Sequence, residues 1–232
     1  NHKNLCVIVQ NKDDKKFLIE KKLTMKKNIT LIKGSGVDLK KFKFSKVSNS
    51  KNIVLFPSRL LINKGVIEFL ESAKILTKKY PKWKFILAGS IDYVHPTSLN
   101  INKLKEYLLY KNIEWIDYQK DIYPFYKKCS IVCLPSYREG MPKSILEAAA
   151  AGRPVVTSNA IGCKESVINN VTGLIVPVRN VRKLVKSIEL LIKNKNLRVR
   201  FGKEAREFAE EKFDLNEVKN RILNIYNNIS EL

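Results

Sequence analysis

Short apolar runs alternate with helical patterns along almost the whole chain, and this alternation constrains the fold more than any other feature. Such runs are typical of parallel strands that are buried on both faces. The eight runs occupy residues 5–9, 28–32, 53–57, 84–89, 113–116, 130–135, 153–157 and 173–177. The pattern predicts an α/β protein with a doubly wound, Rossmann-like parallel sheet. Ligands of such sheets bind at the carboxyl ends of the strands.

Two of the intervening helices can be placed by the spacing of their apolar residues. Residues 65–79 carry one apolar stripe, which consists of Val66, Phe69, Leu70, Ala73 and Leu76. Asn180 is a suitable N-cap for a second helix. The buried face of that helix would consist of Leu184, Ile188 and Leu191. We therefore expect helices on the faces of the sheet, between successive strands.

The composition limits the class of protein. With 232 residues and 44% hydrophobic content, the chain can bury one large core or two small ones. No apolar run is long enough to span a membrane, and the first residues lack the pattern of a signal peptide. The cysteines have no paired spacing, which indicates reduced thiols and a cytoplasmic protein. They are Cys6, Cys129, Cys133 and Cys163. Because the chain has only two histidines, no metal site is expected.

The formal net charge of +22 has several possible meanings. It could serve nucleic acid, an anionic membrane surface or a phosphorylated substrate. Of the 44 basic residues, 35 are lysine and nine are arginine, and they are spread along the chain. The sequence lacks the interleaved aromatic and basic residues that stack on bases, so nucleic acid is not an expected partner. An anionic membrane surface is compatible with this charge, so peripheral association with the inner face of the cytoplasmic membrane is a further interpretation.

Changes in composition suggest four segments. Residues 42–52 are rich in Ser, Asn and Lys and are interpreted as a linker. Residues 1–41 hold one βαβ unit, which we interpret as the end of a truncated preceding domain. Residues 53–213 contain the remaining strands, and residues 214–232 form a terminal helix. The apolar stripe of this helix is Leu215, Val218, Ile222, Ile225 and Ile229. The stripe needs a partner surface, and we expect the helix to pack back toward the preceding domain.

Two cations follow the strand at residues 53–57. Arg59 comes directly after it, and Lys64 precedes the helix that Gly65 begins. Cations beside a helix N-terminus at the carboxyl edge of a sheet suit a diphosphate. On position alone, two solvated surface cations are the slightly favoured interpretation.

A second loop follows the strand at residues 130–135. Gly140 allows a tight turn, and Pro142 is suited to a first helical turn. The free amides near Lys143 and Ser144 would then point out of the helix end, where they would attract an anion.

Two glutamates flank this helix end. Glu147 lies about one turn inside an otherwise apolar helix, and Glu139 lies on the loop ahead. Each alone could be an ordinary exposed acid. Together with Arg59 and Lys64, they suit a ligand with hydroxyl groups at both ends and phosphates between. A nucleotide sugar has this chemistry.

Four stretches resemble a known family. They are "GSGVDLKKF", "PSRLLINKGVIEFLESAKIL", "EGMPKSILE" and "AAAAGRPVVTSNAIGCKESVINNVTGLIVPV". Over about residues 5–230 the chain is similar to the donor-binding half of retaining glycosyltransferases of family 4, which have the GT-B fold. "GCKESV" and "REGMPKS" most resemble transferases that build lipopolysaccharide, capsule or lipid-linked oligosaccharides. The resemblance implies that residues 53–213 bind the donor and that residues 1–41 end an acceptor domain.

The resemblance also implies residue roles. Arg59 and Lys64 would bind the donor diphosphate and neutralise the leaving group. Glu139 would contact sugar hydroxyls, and Glu147 would contact ribose hydroxyls. Gly140, Met141, Pro142, Lys143 and Ser144 would shape the loop and its amides, while Ile116, Tyr118 and Gln119 would lie against the base. The family often has glycine where Tyr118 stands.

The implied reaction is transfer of a sugar with retention of configuration, from a UDP-type donor to a glycan or polyprenyl-linked acceptor. No Asp-x-Asp motif is present, so neither a metal nor another cofactor is expected. The glycine-rich loop and histidine of the family's first domain have no counterpart, and His2 is wrongly placed to substitute. A binding module that is inactive without its acceptor domain is the alternative. A phosphorylase or an epimerase on the same fold is a third interpretation.

Overall fold

The computed structural model describes residues 5–47 and 51–230. Three parts of the sequence-based segments lie outside these residues: 1–4 with His2, 48–50 of the linker, and 231–232 of the terminal helix. Strands and helices alternate over most of the described chain, and every strand pair in the sheets is parallel. The prediction of an α/β fold is therefore confirmed.

A small βαβ unit comes first. Strand β1 (Val7–Val9), helix α1 (Lys12–Glu20) and strand β2 (Ile29–Leu31) form it, and β1 pairs with β2 in parallel. Helix α1 begins after Asn11, whose side-chain oxygen accepts a hydrogen bond from the Asp14 amide at 2.7 Å. Such a cap satisfies an amide that has no intrahelical partner.

The larger sheet has six parallel strands in the order β5-β4-β3-β6-β7-β8. They are β3 (Ile53–Phe56), β4 (Lys84–Leu87), β5 (Ile113–Trp115), β6 (Ile131–Leu134), β7 (Val155–Ser158) and β8 (Gly173–Val176). All eight predicted strands are thus confirmed, with small shifts at their ends. The strand order reverses between β3 and β6, which is where a doubly wound sheet opens a crevice.

The described residues form seven more α-helices, of which the last returns to the first βαβ unit. They are α2 (Val66–Lys79), α3 (Ile101–Leu108), α4 (Tyr123–Lys128), α5 (Lys143–Ala150), α6 (Val181–Lys193), α7 (Lys195–Lys212) and α8 (Leu215–Ser230). The two helices placed by periodicity are confirmed. Asn180 caps α6 by accepting a hydrogen bond from the Lys183 amide at 2.9 Å.

Helix α7 has no clear signal in the sequence. Much of its buried face consists of small residues, because it lies directly against the end of α5. A Cβ at Gly202 would collide with the carbonyl oxygen of Gly152. Ala205 and Ala209 continue the same close contact and are fully buried. A helix that packs through glycine and alanine lacks the large apolar stripe by which helices are usually found.

The core forms on both faces of the larger sheet. On one face, the ring of Phe69 from α2 packs between Phe56 and Phe85, with centroid separations of 5.2 and 5.9 Å. On the other face, α4 and α5 cover β3, β6 and β7. Since the central strands are buried on both sides, their sequences contain almost no polar residues.

The segment interpreted as a linker packs against the larger sheet's helices. Phe42 and Val47 are buried, and the Arg153 guanidinium donates a hydrogen bond to the carbonyl oxygen of Ser45. Burial lowers the pKa of Arg153. The described part of this segment is therefore held in one place, and the domain boundaries stay predictions.

Helix α8 returns to the first βαβ unit. The Val37 amide donates to the Phe213 carbonyl at 2.8 Å, and the Leu215 amide donates to the Val37 carbonyl at 3.1 Å. Arg221 donates to the Leu31 carbonyl at 3.0 Å. Within the predicted apolar stripe, Val218 is buried and the other members are half-buried. The stripe therefore already has a partial partner surface.

The cysteines are all free thiols, as expected. Burial raises the pKa of Cys129 to about 12 and that of Cys163 to about 11. These thiols are therefore uncharged and poor nucleophiles near neutral pH. Among the described residues, no helix combines the length and the apolar character needed to cross a bilayer.

Candidate functional site

Loops that follow neighbouring strands meet around a pocket of about 220 Å³ at the carboxyl edge of the larger sheet. Its lining is Pro57, Ser58 and Arg59 after β3, Ala88, Gly89 and Ser90 after β4, Tyr118, Gln119 and Ile122 after β5, Tyr126 of α4, and Ser144 and Glu147 of α5. Because all these strands are parallel, their carboxyl ends share one edge. Five of the predicted site residues line this pocket, so the structure brings them together.

The floor of the pocket depends on a close approach of two strand ends. A Cβ at Gly89 would collide with the carbonyl oxygen of Ser58. The Trp115 indole N–H donates to the Gly89 carbonyl oxygen at 2.8 Å, which ties the end of β5 to the same point. Any larger residue at position 89 would push the loops after β3 and β4 apart.

Arg59 lies at the mouth of the pocket. Its guanidinium nitrogen is 3.0 Å from the Asp92 carboxylate, and about half of the Arg59 side chain is exposed. An exposed pair of this kind contributes about 0–1 kcal/mol to stability. The pairing orients the guanidinium and leaves other N–H groups for an anionic ligand. Asp92 is not among the predicted site residues, although its position just after β4 could have indicated it.

Lys64 and Glu139 form a tight ion pair, and neither residue lines the pocket. The Lys64 ammonium lies 2.6 and 2.7 Å from the two carboxylate oxygens of Glu139. The Ser136 hydroxyl donates to the same carboxylate at 2.7 Å. Both charged side chains are mostly buried, with 21% and 12% exposure. Of the predicted site residues, Lys64 and Glu139 are therefore joined to each other rather than to Arg59.

The loop that carries Glu139 is held from two sides. Gly162 has a φ of 80°, and a Cβ there would collide with the Glu139 carbonyl oxygen. From the first unit, the Asn11 side chain donates to the Gly140 carbonyl oxygen at 3.0 Å. Met141 is buried, and a Cβ at Gly34 would lie 2.8 Å from its Cγ. Glycine at positions 34 and 162 is therefore required for this packing.

Helix α5 begins at the pocket. Pro142 is its N-cap residue with φ −71° and ψ 110°, and Lys143 is its first residue. The Ile145 amide donates to the Pro142 carbonyl at 3.0 Å, whereas the Lys143 and Ser144 amides precede the first intrahelical hydrogen bond. Ser144 lines the pocket. The positive end of the helix dipole therefore lies at the pocket wall, as expected for an anion site.

The Glu147 carboxylate lies one turn further along α5. It accepts a hydrogen bond from the Tyr126 hydroxyl at 3.2 Å, and the same hydroxyl is 3.0 Å from the Ser144 carbonyl oxygen. Burial raises the pKa of Glu147, while Lys143, Tyr126 and Lys41 act in the opposite direction. Glu147 is thus a partly desolvated carboxylate in the pocket wall, which suits a hydroxyl donor.

The predicted base-contacting segment extends β5 toward the pocket. The Ile116 amide donates to the Leu87 carbonyl at 3.0 Å, which continues the strand pairing. The Gln119 side chain donates to the Ile116 carbonyl at 2.6 Å. Tyr118 is 70% exposed at the rim, after a turn at Asp117 with φ 53°. The structure therefore leaves the Tyr118 ring free to cover a ligand.

Tyr126 is the site residue that sequence reasoning had least chance of finding. Its side chain is completely buried, and its pKa is raised well above the usual value, first by burial and then by Glu147. In sequence, Tyr126 is one of several aromatic residues in α4 and looks like an ordinary core residue. Only the fold shows that its hydroxyl reaches Glu147.

Comparisons with known proteins identify the family. The fold and the pocket define an α/β protein of the doubly wound class with a ligand site at its strand ends. Residues 37–208 match the family described as glycosyl transferases group 1. Since this match covers most of the chain, the protein belongs to the group 1 glycosyl transferases.

Two curated relatives cover nearly the whole chain. N,N'-diacetylbacillosaminyl-diphospho-undecaprenol alpha-1,3-N-acetylgalactosaminyltransferase of Campylobacter jejuni is 33% identical over 96% of this chain and 60% of its own. The capsular polysaccharide biosynthesis glycosyltransferase CapM of Staphylococcus aureus is 27% identical over 95% of this chain and 61% of its own. The chain therefore spans about three fifths of the length of these relatives.

A solved structure shows the same fold. The Anabaena protein Alr3699/HepE, crystallised in complex with UDP, superposes with a TM-score of 0.84 over 98% of this chain and 64% of its own, at 21% identity. The predictions of a GT-B type fold and of a glycosyltransferase family are thereby confirmed.

Proposed function

We propose that this chain binds a nucleoside diphosphate sugar and takes part in transfer of its sugar to a glycan or polyprenyl-linked acceptor during synthesis of a bacterial surface polysaccharide. The sugar would be a hexose or an N-acetylhexosamine, and the nucleotide UDP. The observation that carries the proposal is the pocket in which Arg59, the N-terminus of α5 and Glu147 meet. A cation and a helix N-terminus suit the diphosphate, and a partly buried carboxylate suits the ribose hydroxyls.

The cations would act on the leaving group. As the bond between the anomeric carbon and the diphosphate oxygen breaks, negative charge grows on the diphosphate. Arg59, the α5 amides and Lys64 would stabilise this charge more strongly than that of the bound donor, which lowers the barrier. Two of the three Lys64 protons point at Glu139 at 2.6 and 2.7 Å, so one remains for a phosphate. Glu139 keeps lone pairs for sugar hydroxyls.

We also propose that transfer occurs with retention, as in family 4 enzymes. The acceptor oxygen would bond to the anomeric carbon on the face that the diphosphate leaves, and the acceptor proton would pass to a diphosphate oxygen. No metal or other cofactor is needed for this step in our proposal. Addition of EDTA should therefore leave transfer unchanged, and loss of transfer that Mg²⁺ restores would contradict it.

Binding of the donor can be tested with ligands of increasing size. Pyrophosphate, UDP and UDP-sugars should raise the melting temperature, because a ligand at a hundred times its dissociation constant stabilises by about 2.7 kcal/mol.

Arg59→Ala and Lys64→Ala should each weaken UDP binding by roughly 1.5–3 kcal/mol, since each removes a charge-assisted contact. Titration calorimetry measures this loss. Arg182→Ala, at an exposed position of α6, is the control. Unchanged UDP affinity in both site variants would overturn the assignment.

A second candidate function is donor binding without transfer by this chain alone. The observation that favours it is that the relatives are longer, as this chain matches only 60% and 61% of their length. Incubation with labelled UDP-sugars and a lipid extract distinguishes the two functions. Formation of labelled glycolipid supports transfer, whereas UDP binding without any glycolipid supports the binding module. In either case, we propose that the chain is cytoplasmic and associates peripherally with the inner face of the cytoplasmic membrane, where a polyprenyl-linked acceptor would be found.

A further inference from the structure

A second and larger pocket, of about 400 Å³, lies on the same sheet but away from the donor pocket. It opens where β3 and β4 begin, whereas the donor pocket lies where these strands end. The two pockets share no lining residue. Both can therefore be occupied at the same time, and the proposed donor function does not account for the second one.

The floor of the second pocket is apolar. In the parallel register Leu55 is paired with Ile86, and both side chains point to the face on which α4 packs. Ile53 lies on the same face, and Phe125 of α4 closes one side. Helix α4 has only six residues and packs on β3. At the bottom of the pocket Leu55 is fully buried, and Ile53 and Ile86 keep only narrow exposed edges.

The rim of the pocket is strongly cationic. Lys51, Lys82, Lys84 and Lys128 surround it. Lys84 pairs with Glu114 at 2.6 Å. The other three lysines are exposed and form no ion pair with any described residue. The Lys51 amide donates to the Lys128 carbonyl at 2.7 Å, which keeps these two lysines next to each other.

We propose that this pocket binds the phosphate headgroup of an anionic phospholipid and so docks the protein on an anionic membrane surface. Three unpaired ammonium groups complement the phosphate. The half-buried Phe125 ring and the exposed edges of Ile53 and Ile86 would contact the glycerol and the first methylene groups, which an inorganic anion lacks. The choice of a lipid rests on the proposed function, because a polyprenyl-linked acceptor lies in a bilayer. Juxtaposed lysines and apolar surface are the features by which proteins bind anionic leaflets.

Matched charge variants test the location of the lipid site. The pocket variant is Lys51→Gln/Lys82→Gln/Lys128→Gln, and the control is Lys183→Gln/Lys186→Gln/Lys195→Gln, which removes three equally exposed lysines elsewhere. Sedimentation with vesicles of phosphatidylglycerol in phosphatidylcholine measures binding. We expect roughly a hundredfold weaker binding for the pocket variant and a much smaller loss for the control. Hydrogen exchange of the native chain should show protection by vesicles at residues 51–55 and 123–130.

Three results would overturn the proposal. The first is equal loss of binding in both variants, which would show attraction by overall charge. The second is absence of binding to the phosphatidylglycerol vesicles. The third is equal protection of residues 51–55 and 123–130 by sodium phosphate alone, which would show a site for free anions. UDP affinity is measured on the same variants and should not change. Failure of the lipid site and failure of the donor site are thereby distinguished.

Discussion

At the scale of single residues, Glu147 explains why an apolar helix contains one carboxylate. Its surroundings are partly desolvated, which raises its pKa, and the Tyr126 hydroxyl donates to it at 3.2 Å. A raised pKa means that ionised Glu147 costs folding stability. The contribution of Glu147 to the free energy of unfolding is most favourable below the pKa that it has in the unfolded chain. This contribution is lost as pH rises through its raised pKa in the folded protein. A costly carboxylate in a pocket wall is typical of a functional residue.

Glu147→Gln should therefore distinguish the contribution of the nucleoside to binding affinity from the contribution of the phosphates. The variant keeps one acceptor oxygen but loses the charge that strengthens hydrogen bonds from ribose hydroxyls, so UDP affinity should fall about tenfold. Pyrophosphate affinity should hardly change. For the native protein, UDP affinity should fall as pH is lowered through the raised pKa of Glu147. The fall should be smaller in the variant, in which only the titration of the terminal phosphate of UDP remains. Calorimetry across pH measures both effects. Equal losses for UDP and pyrophosphate would instead show that Glu147 only supports the loop.

At the scale of elements, Tyr137 joins three parts of the structure. Its hydroxyl donates at 2.7 Å to Glu68, which is buried in α2, and its amide donates at 2.9 Å to the Asn63 carbonyl. The Arg179 guanidinium lies 4.6 Å from the centre of its ring. Burial and Glu68 raise the Tyr137 pKa to about 12. These contacts fix the loops that carry Lys64 and Glu139 relative to each other.

Tyr137→Phe should destabilise the protein by roughly 1–3 kcal/mol, because Glu68 would lose its hydrogen-bond donor while it stays buried. Urea denaturation measures this change. Tyr93→Phe, at a side chain that is 78% exposed, should leave the midpoint unchanged. UDP affinity should also fall in Tyr137→Phe, since the ion pair of Lys64 and Glu139 would be less well positioned. A denaturation midpoint equal to that of the native protein would contradict this role.

How much could be predicted at this scale depended on which contacts lie close in sequence. Apolar runs between helical patterns located every strand, and the rule that ligands bind at strand ends selected Arg59 and Glu147 for one site, whose lining they share. Helix α7 could not be found, because it packs mainly through small residues. Asp92 contacts Arg59, and Tyr126 contacts Glu147, across elements that are distant in sequence. A local sequence pattern cannot predict such contacts.

At the scale of the whole molecule, the first βαβ unit contacts the loop between β6 and α5, which carries Glu139 and is called the donor loop below. Asp14 at the start of α1 pairs with Arg138 after β6, and Asp13 pairs with Lys164 after β7 at 2.8 Å. Asn11 donates to the Gly140 carbonyl oxygen at 3.0 Å. The hydrogen bond from Lys164 is the largest effect that lowers the Asp13 pKa. The position of the first unit and the order of the donor loop are therefore coupled.

Asp13→Asn/Asp14→Asn should loosen this coupling without unfolding either unit. Each pair is partly exposed, so the loss is small, and the backbone amides of residues 138–141 should exchange roughly fivefold faster. In the native protein, Asp13 stabilises the fold at pH values above the pKa that it has in the unfolded chain. This stabilisation is lost as pH falls through its lowered pKa in the folded protein. High salt should imitate the variant, since exposed pairs are screened. Glu20→Gln on the same helix breaks only a pair with Lys16 at 3.6 Å and should leave exchange unchanged. If both variants exchange at the native rate, the donor loop is held by its own packing rather than by the first unit.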